Sequence, residues 1–214
     1  MSPLLLTALV GIVTSTCASA QTLTIYLGNE QAQPSAVLKE MRQETARLLD
    51  QAGIRLEWRS LETRRATDQA ERLMVVRLQG TCNYRREALP LGGTPLASTH
   101  TVGDSILPFT DVKCEALSAM VAAQATADVV ARKDQLMGRA MGRVIAHEIY
   151  HVLGQVRHHT GTGVAKSCFQ YRDLVDERFS FDSAAIAMMR RDRQSPPGET
   201  DSSVETEGFI AGGR

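Results

Sequence analysis

Two histidines four residues apart, with a glutamate beside the first, are the side chains of this sequence best suited to chemistry. The segment reads His147-Glu148-Ile149-Tyr150-His151. On a helix, residues four apart project from the same face, so both imidazoles can bind one metal ion. Histidine nitrogens bind zinc at about 2.0–2.1 Å. The spacing therefore predicts His147 and His151 as zinc ligands and Glu148 as the carboxylate that accepts a proton from water.

A third protein ligand is expected, because catalytic zinc sites usually have three protein ligands and one open position. Two further histidines follow the turn expected at Gly154. We favour His158 as the third ligand, with its neighbour His159 as the competing choice, because only one of two sequential side chains usually faces a given point. The alternative source of the ligand is the acidic residues of the next predicted helix, Asp173, Asp176 and Glu177.

Three strands and one helix are predicted in the first 80 residues. β-Branched, aromatic or alternating apolar residues predict strands at residues 22–27, 54–58 and 73–78. The third of these is nearly all apolar, which is typical of a central buried strand. An apolar stripe predicts a helix over residues 35–50. The following region, residues 80–110, is rich in turn signals, and its only predicted strand is a short edge strand at 105–109 that Pro108 interrupts.

The rest of the chain is predicted to be helical. Helical composition begins near Cys114, and residues 126–153 contain no proline, which predicts one long helix or two in sequence that end at Gly154. Further helices are predicted at residues 166–178 and 183–193. This order of elements predicts an α+β domain, with a mixed sheet in the N-terminal half, a long helix that carries the HExxH residues, and a helical C-terminal part.

The segment from His147 to Gly154 resembles the start of the metzincin signature, HExxHxxGxxH, within the zincin class of zinc metallopeptidases. The two histidines, the glutamate and the glycine match position by position, whereas Arg157 stands where the signature has its third histidine and His158 comes one residue later. The resemblance implies a zincin-like fold, in which the sheet backs the active-site helix and an edge strand aligns a peptide substrate.

Metzincins also have a methionine in a turn beneath the zinc. Met188 and Met189 are available downstream, but they lie in a predicted helix, where core packing is the expected role.

The two ends of the chain are predicted to lie outside the domain. Residues 1–20 contain an apolar run without charged side chains and end in Ala18-Ser19-Ala20, which is typical of a secretory signal peptide; a retained membrane anchor is the alternative. Residues 21–194 are then a single domain, and the polar residues 195–214 a disordered tail. A signal peptide predicts a secreted or periplasmic protein.

Charge and cysteine content bear on partners and on the compartment. The chain has 24 basic and 24 acidic residues without a basic stripe, so we expect neither a nucleic-acid partner nor membrane association after signal cleavage. Three cysteines follow the signal peptide, and an exported protein can form disulfides. Of the three possible pairings, Cys82–Cys114 is preferred, which leaves Cys168 buried or as a free thiol.

Three functions compete at this point. The motif and the resemblance predict an exported zinc-dependent endopeptidase that hydrolyses peptide or protein substrates. The alternative is a non-catalytic exported binding domain that zinc stabilises. The third is an exported binding module without a metal, for which the HExxH spacing would be a coincidence.

Overall fold

The sheet forms the N-terminal half of the computed structural model, which describes residues 21–85, 95–124 and 126–191. Its five strands are β1 (Gln21–Gly28), β2 (Ile54–Ser60), β3 (Leu73–Gln79), β4 (Ala97–Val102) and β5 (Ser105–Lys113). The strand order is β2-β1-β3-β5-β4. The edge strand β4 is antiparallel to β5, and all other neighbours are parallel. The predicted signal peptide and tail lie outside the described residues.

Six α-helices complete the described part of the chain. They are α1 (Ser35–Asp50), α2 (Cys114–Ala122), α3 (Ala127–Ala131), α4 (Lys133–Gly154), α5 (Tyr171–Val175) and α6 (Ser183–Arg191). The region predicted as one long helix or two in sequence is therefore two, and the longer one ends at Gly154 as expected. Within the described residues, no helix is both long and apolar enough to span a bilayer. The predicted α+β class, with a mixed sheet before a long HExxH helix, is confirmed.

The strand prediction for the central region is wrong in two respects. The segment predicted as a short edge strand is the interior strand β5, and the strand at this edge is β4, whose sequence ASTHTV lacks an alternation of apolar residues. Pro108 does not end β5, because it lies at a bulge where residues 107–109 face His100 alone. Pairing with β3 begins only at Phe109. The missing N–H of proline therefore removes no ladder hydrogen bond.

The helix predicted at residues 166–178 is much shorter in the structure, where only α5 is helical. Arginine side chains of α4 bind carbonyl groups at the end of this short helix. The guanidinium of Arg143 donates to Asp173 O at 2.8 Å, and that of Arg139 donates to Val175 O at 2.9 Å. Before α5, the backbone of Lys166 forms an isolated β-bridge with Thr160 and is not part of a helical turn.

Helices α1 and α4 share one apolar core with the sheet and pack closely against each other. Gly138 and Gly142 lie one helical turn apart on α4 at this contact. An added Cβ at Gly138 would lie 2.5 Å from Val37 O and 2.6 Å from Glu40 Cβ, and one at Gly142 would lie 2.8 Å from Met41 O. These distances are well below van der Waals contact. The two glycines therefore allow α4, which carries the HExxH residues, to approach α1 this closely.

Gly138→Ala is expected to destabilise the protein, although alanine is favoured over glycine by about 1 kcal/mol in a helix interior. The new methyl group forces α1 and α4 apart, which lowers the free energy of unfolding by about 1–3 kcal/mol. Urea denaturation measures the change. Gly161→Ala is the control, since a Cβ there meets nothing within 4 Å. Equal stability of the two variants would contradict the close contact.

A disulfide joins the loop after β3 to the start of α2. It links Cys82 to Cys114, as predicted, and Cys168 is free and exposed. The bridge closes a sequence separation of 32 residues. In the chain-entropy model a loop of this length stabilises the fold by about 3–4 kcal/mol.

Candidate metal centre

The two predicted histidine ligands face each other on the last turns of α4. His147 Nε2 and His151 Nε2 are 3.0 Å apart. The rings meet edge to face, with centroids 4.8 Å apart and an interplanar angle of 75°. The helical spacing of four residues therefore brings both imidazole nitrogens to one point, as expected.

Backbone carbonyl groups fix the orientation of both rings. His147 Nδ1 lies 2.7 Å from Val164 O, and His151 Nδ1 lies 2.7 Å from Val156 O. A carbonyl oxygen only accepts, so both Nδ1 atoms carry the proton and both neutral rings direct an Nε2 lone pair at the other. Two lone pairs at 3.0 Å repel unless a cation lies between them. The donor set therefore fits a metal ion, and the carbonyl partners are of the kind that orient histidine ligands in metal sites.

The third histidine at this point is His159. Its ring centroid lies 5.2 Å from that of His147 and 4.9 Å from that of His151. One ligand atom from each of the three residues falls within 4.8 Å of the others. The cluster therefore contains His159, whereas the sequence favoured its neighbour His158.

The loop after α4 explains which histidine reaches the site. Gln155 ends the helix in the left-handed conformation, with φ of 48°, and its side chain donates to Val152 O at 2.8 Å and Ile106 O at 3.2 Å. Further along, the Tyr150 hydroxyl donates to His158 O at 3.1 Å. The backbone of His158 is therefore tied to α4, and the next side chain turns to the metal site.

The acidic alternatives for the third ligand do not join the cluster. Asp173 Oδ2 pairs with Lys166 Nζ at 2.5 Å and accepts from Gln170 N at 2.6 Å. Among the described residues, the group whose ligand atoms converge consists of histidines alone, without Asp176 or Glu177.

The two methionines lie on α6 as predicted: Met189 is fully buried in the core, and Met188 Sδ lies 3.5 Å from the Tyr150 hydroxyl.

Desolvation favours the neutral form of all three histidines, although His159 is the exposed member of the group. Burial lowers the pKa of His147 to about 4, and repulsion from His151 and His159 adds to this effect. Burial also lowers the pKa of His151, with further lowering by His159 and His158, and that of His159, with further lowering by His158. Metal ions bind neutral imidazole, so the site is in its ligating form at neutral pH.

Glu148 lies beside the histidines, and its carboxylate is hydrogen-bonded to the edge strand β4. Thr99 Oγ1 donates to Glu148 Oε2 at 2.6 Å. The glutamate is only 7% exposed. Burial raises the pKa of its carboxyl group above the ordinary value, although hydrogen bonds from Thr99 oppose the rise. A carboxylate with a raised pKa is better matched to accepting a proton near neutral pH.

A cleft of about 580 Å³ opens onto the histidines and Glu148. Residues of β4 line it together with the segment 166–169, and its apolar lining includes Leu96, Met120, Val144 and Phe169. The sequence did not point to these residues or to Thr99. Their only shared signal is their position around the metal site, which exists only once the sheet and α4 have packed.

Comparisons with known proteins show a distant likeness to a solved structure. No protein-family model and no curated protein matches the chain. A solved structure to which the chain is similar is archaemetzincin from Methanopyrus kandleri, at 12% sequence identity and a TM-score of 0.49. The match covers 85% of this chain and 100% of that one. At this level the likeness concerns the fold alone.

Proposed function

We propose that this chain is an exported zinc-dependent endopeptidase, in which His147, His151 and His159 hold the metal and Glu148 is the general base. The observation that carries the proposal is the pair of Nε2 atoms 3.0 Å apart, each on a ring whose Nδ1 is bound to a carbonyl. Zn²⁺ at such a site supplies Lewis acidity to a carbonyl oxygen and lowers the pKa of water.

In this proposal, the protein's own groups transfer a proton and align the peptide substrate. Glu148 takes a proton from the attacking water and returns it to the leaving amine, as its burial in the cleft favours. Strand β4 lies at the edge of the sheet beside this carboxylate. An edge strand offers free N–H and C=O groups to which an extended peptide can add as a further strand. A peptide substrate is therefore the class that the cleft best accommodates.

The competing function is a non-catalytic exported domain that zinc stabilises. A structural zinc site is closed by four protein ligands, whereas a catalytic one keeps an open position. Within the part of the chain that the structure describes, three ligand atoms converge and no fourth joins them. This count supports the catalytic reading. Export itself is supported by the Cys82–Cys114 disulfide, since such bonds persist in oxidising compartments.

Zinc content of purified protein tests the ligand set. Wild type and His158→Ala are each expected to hold one zinc per chain, because the His158 side chain is not among the convergent ligands and its backbone carbonyl accepts from Tyr150. His159→Ala is expected to lose most of its zinc on dialysis against a weak chelator, since two histidines remain. Elemental analysis gives the stoichiometry. Loss of zinc from the His158 variant alone, or a wild type without zinc, would overturn this assignment.

A further inference from the structure

The hydroxyl group of Thr99 is the centre of a short hydrogen-bond chain that ends on the general base. Its Oγ1 lies 2.6 Å from Glu148 Oε2 and 2.7 Å from Thr110 Oγ1. Thr110 is 1% exposed. A hydroxyl has one proton, so Thr99 donates it to the ionised carboxylate and accepts from Thr110. The chain therefore runs from Thr110 through Thr99 to Glu148.

The backbone places this hydroxyl at a bulge of the sheet. Thr99 of β4 pairs directly with Thr110 of β5, and the next residue pair in register is Thr101 with Ile106. Between these pairs, three residues of β5 face His100 alone. Bulges of this kind re-aim side chains next to functional sites. Here the pair at the border of the bulge has both hydroxyl groups on the same side of the sheet as Glu148.

We propose that Thr99 is a positioning residue: its hydroxyl, backed by Thr110, holds one oxygen of Glu148 so that the other oxygen serves proton transfer in the cleft. A glutamate side chain has several rotamers, and only some of them place the carboxylate correctly for proton transfer. A side chain that is not held in the productive rotamer therefore lowers the reaction rate. A hydrogen bond to an ionised acceptor is among the stronger ones, and a second donor behind it polarises it further.

This role is distinct from a merely structural one. Both strands already pair through their backbones at this position, so sheet formation does not depend on the hydroxyl groups. Thr99 also lines the cleft, whereas Thr110 does not. Removing the Thr99 hydroxyl should therefore affect the turnover step more than zinc binding or substrate affinity.

The proposal rests on the proposed function, and its test compares Thr99→Val with Thr99→Ser. Valine keeps the size and the β-branch but cannot donate, whereas serine keeps the hydroxyl. We expect Thr99→Val to lower kcat by about 10–100-fold, as loss of a supporting hydrogen bond to a site residue does. KM and zinc content should stay near those of wild type, and Thr99→Ser should recover most of kcat. Thr22→Val in β1 is the matched control outside the cleft.

A second readout does not need a substrate. Acetohydroxamate chelates Zn²⁺ through its oxygens and gives a proton to a neighbouring carboxylate, so its affinity reports on how that carboxylate is held. Calorimetry is expected to show weaker binding to Thr99→Val than to wild type or Thr99→Ser, with a smaller loss for Thr110→Val. Equal affinity and equal kcat in Thr99→Val overturn the positioning role and leave the endopeptidase intact. A wild type that binds acetohydroxamate but cleaves no peptide overturns the endopeptidase, while the affinity series still decides the role of Thr99. A wild type without zinc overturns both.

Discussion

Glu148→Gln is expected to lower peptide cleavage by about 10²–10⁴-fold, the contribution typical of a positioned general base. The amide has nearly the same size as the carboxylate, and its oxygen can still accept the hydrogen bond from Thr99. It cannot take a proton from water. Because Glu148 is not among the three convergent ligands, the zinc content should stay at one per chain. Cleavage of a fluorescent casein substrate, measured beside elemental zinc, separates these two outcomes.

The control for this experiment is a glutamate outside the cleft. Glu115 lies in the first turn of α2 and is exposed, so Glu115→Gln should retain full activity. Full zinc-dependent cleavage by the Glu148 variant would show that Glu148 is not the general base. Zinc binding by wild type without any cleavage of several protein substrates would instead favour the non-catalytic domain.

Arg143→Met is expected to be the most destabilising single change outside the metal site. The guanidinium of Arg143 is fully buried and donates to Glu44 Oε1 at 2.8 Å and to the carbonyl groups of Asp173 and Asp176. It thus ties α4 to α1 and to the segment around α5. Methionine fills much of the volume but leaves Glu44 and both carbonyl groups without these bonds. Glu44 keeps its hydrogen bonds from Arg47, but the loss of the buried donor to Glu44 and to two carbonyl groups lowers the free energy of unfolding by about 3–5 kcal/mol.

Urea denaturation of the Arg143 variant measures this loss. Arg132→Met is the matched control, because its partner Asp128 lies one turn away on the exposed surface, and stability there should barely change. If the two variants unfold at the same urea concentration, the buried pair does not have the role assigned to it.

The same network makes stability depend on pH. Burial by itself raises the pKa of Glu44, but hydrogen bonds from Arg47 and Arg143 outweigh it, so the native pKa lies below 4.5. The ionised carboxylate therefore stabilises the fold fully above about pH 5, and this contribution is lost as the pH falls through the native pKa. The difference in unfolding free energy between wild type and Arg143→Met should accordingly shrink in acid. A difference that grows below pH 4 would show that Glu44 is not the titrating group.

Much of the fold follows from local patterns in the chain. The strands β1, β2 and β3 and the helix α1 lie within one or two residues of their predicted bounds, because each carries its own local pattern of apolar or β-branched residues. Where the pattern was absent or misleading, the prediction failed. Strand β4 is polar, and the region 166–178 looks helical in composition although only α5 is helical there, with arginines of α4 bound to carbonyl groups near its end.

The sequence by itself determined the pair of histidines and the glutamate, since four-residue spacing on one helix is a local geometry. It also supported the Cys82–Cys114 pairing, which the structure has. Which neighbouring histidine lies with the pair depended on the tertiary structure, because the turn at Gln155 and the Tyr150 hydroxyl decide how the loop returns. The contact of Thr99 with Glu148 likewise could not be predicted from the sequence, because it forms only where β4 packs against α4. Contacts between residues distant in sequence have no local signature, and this cleft is made of such contacts.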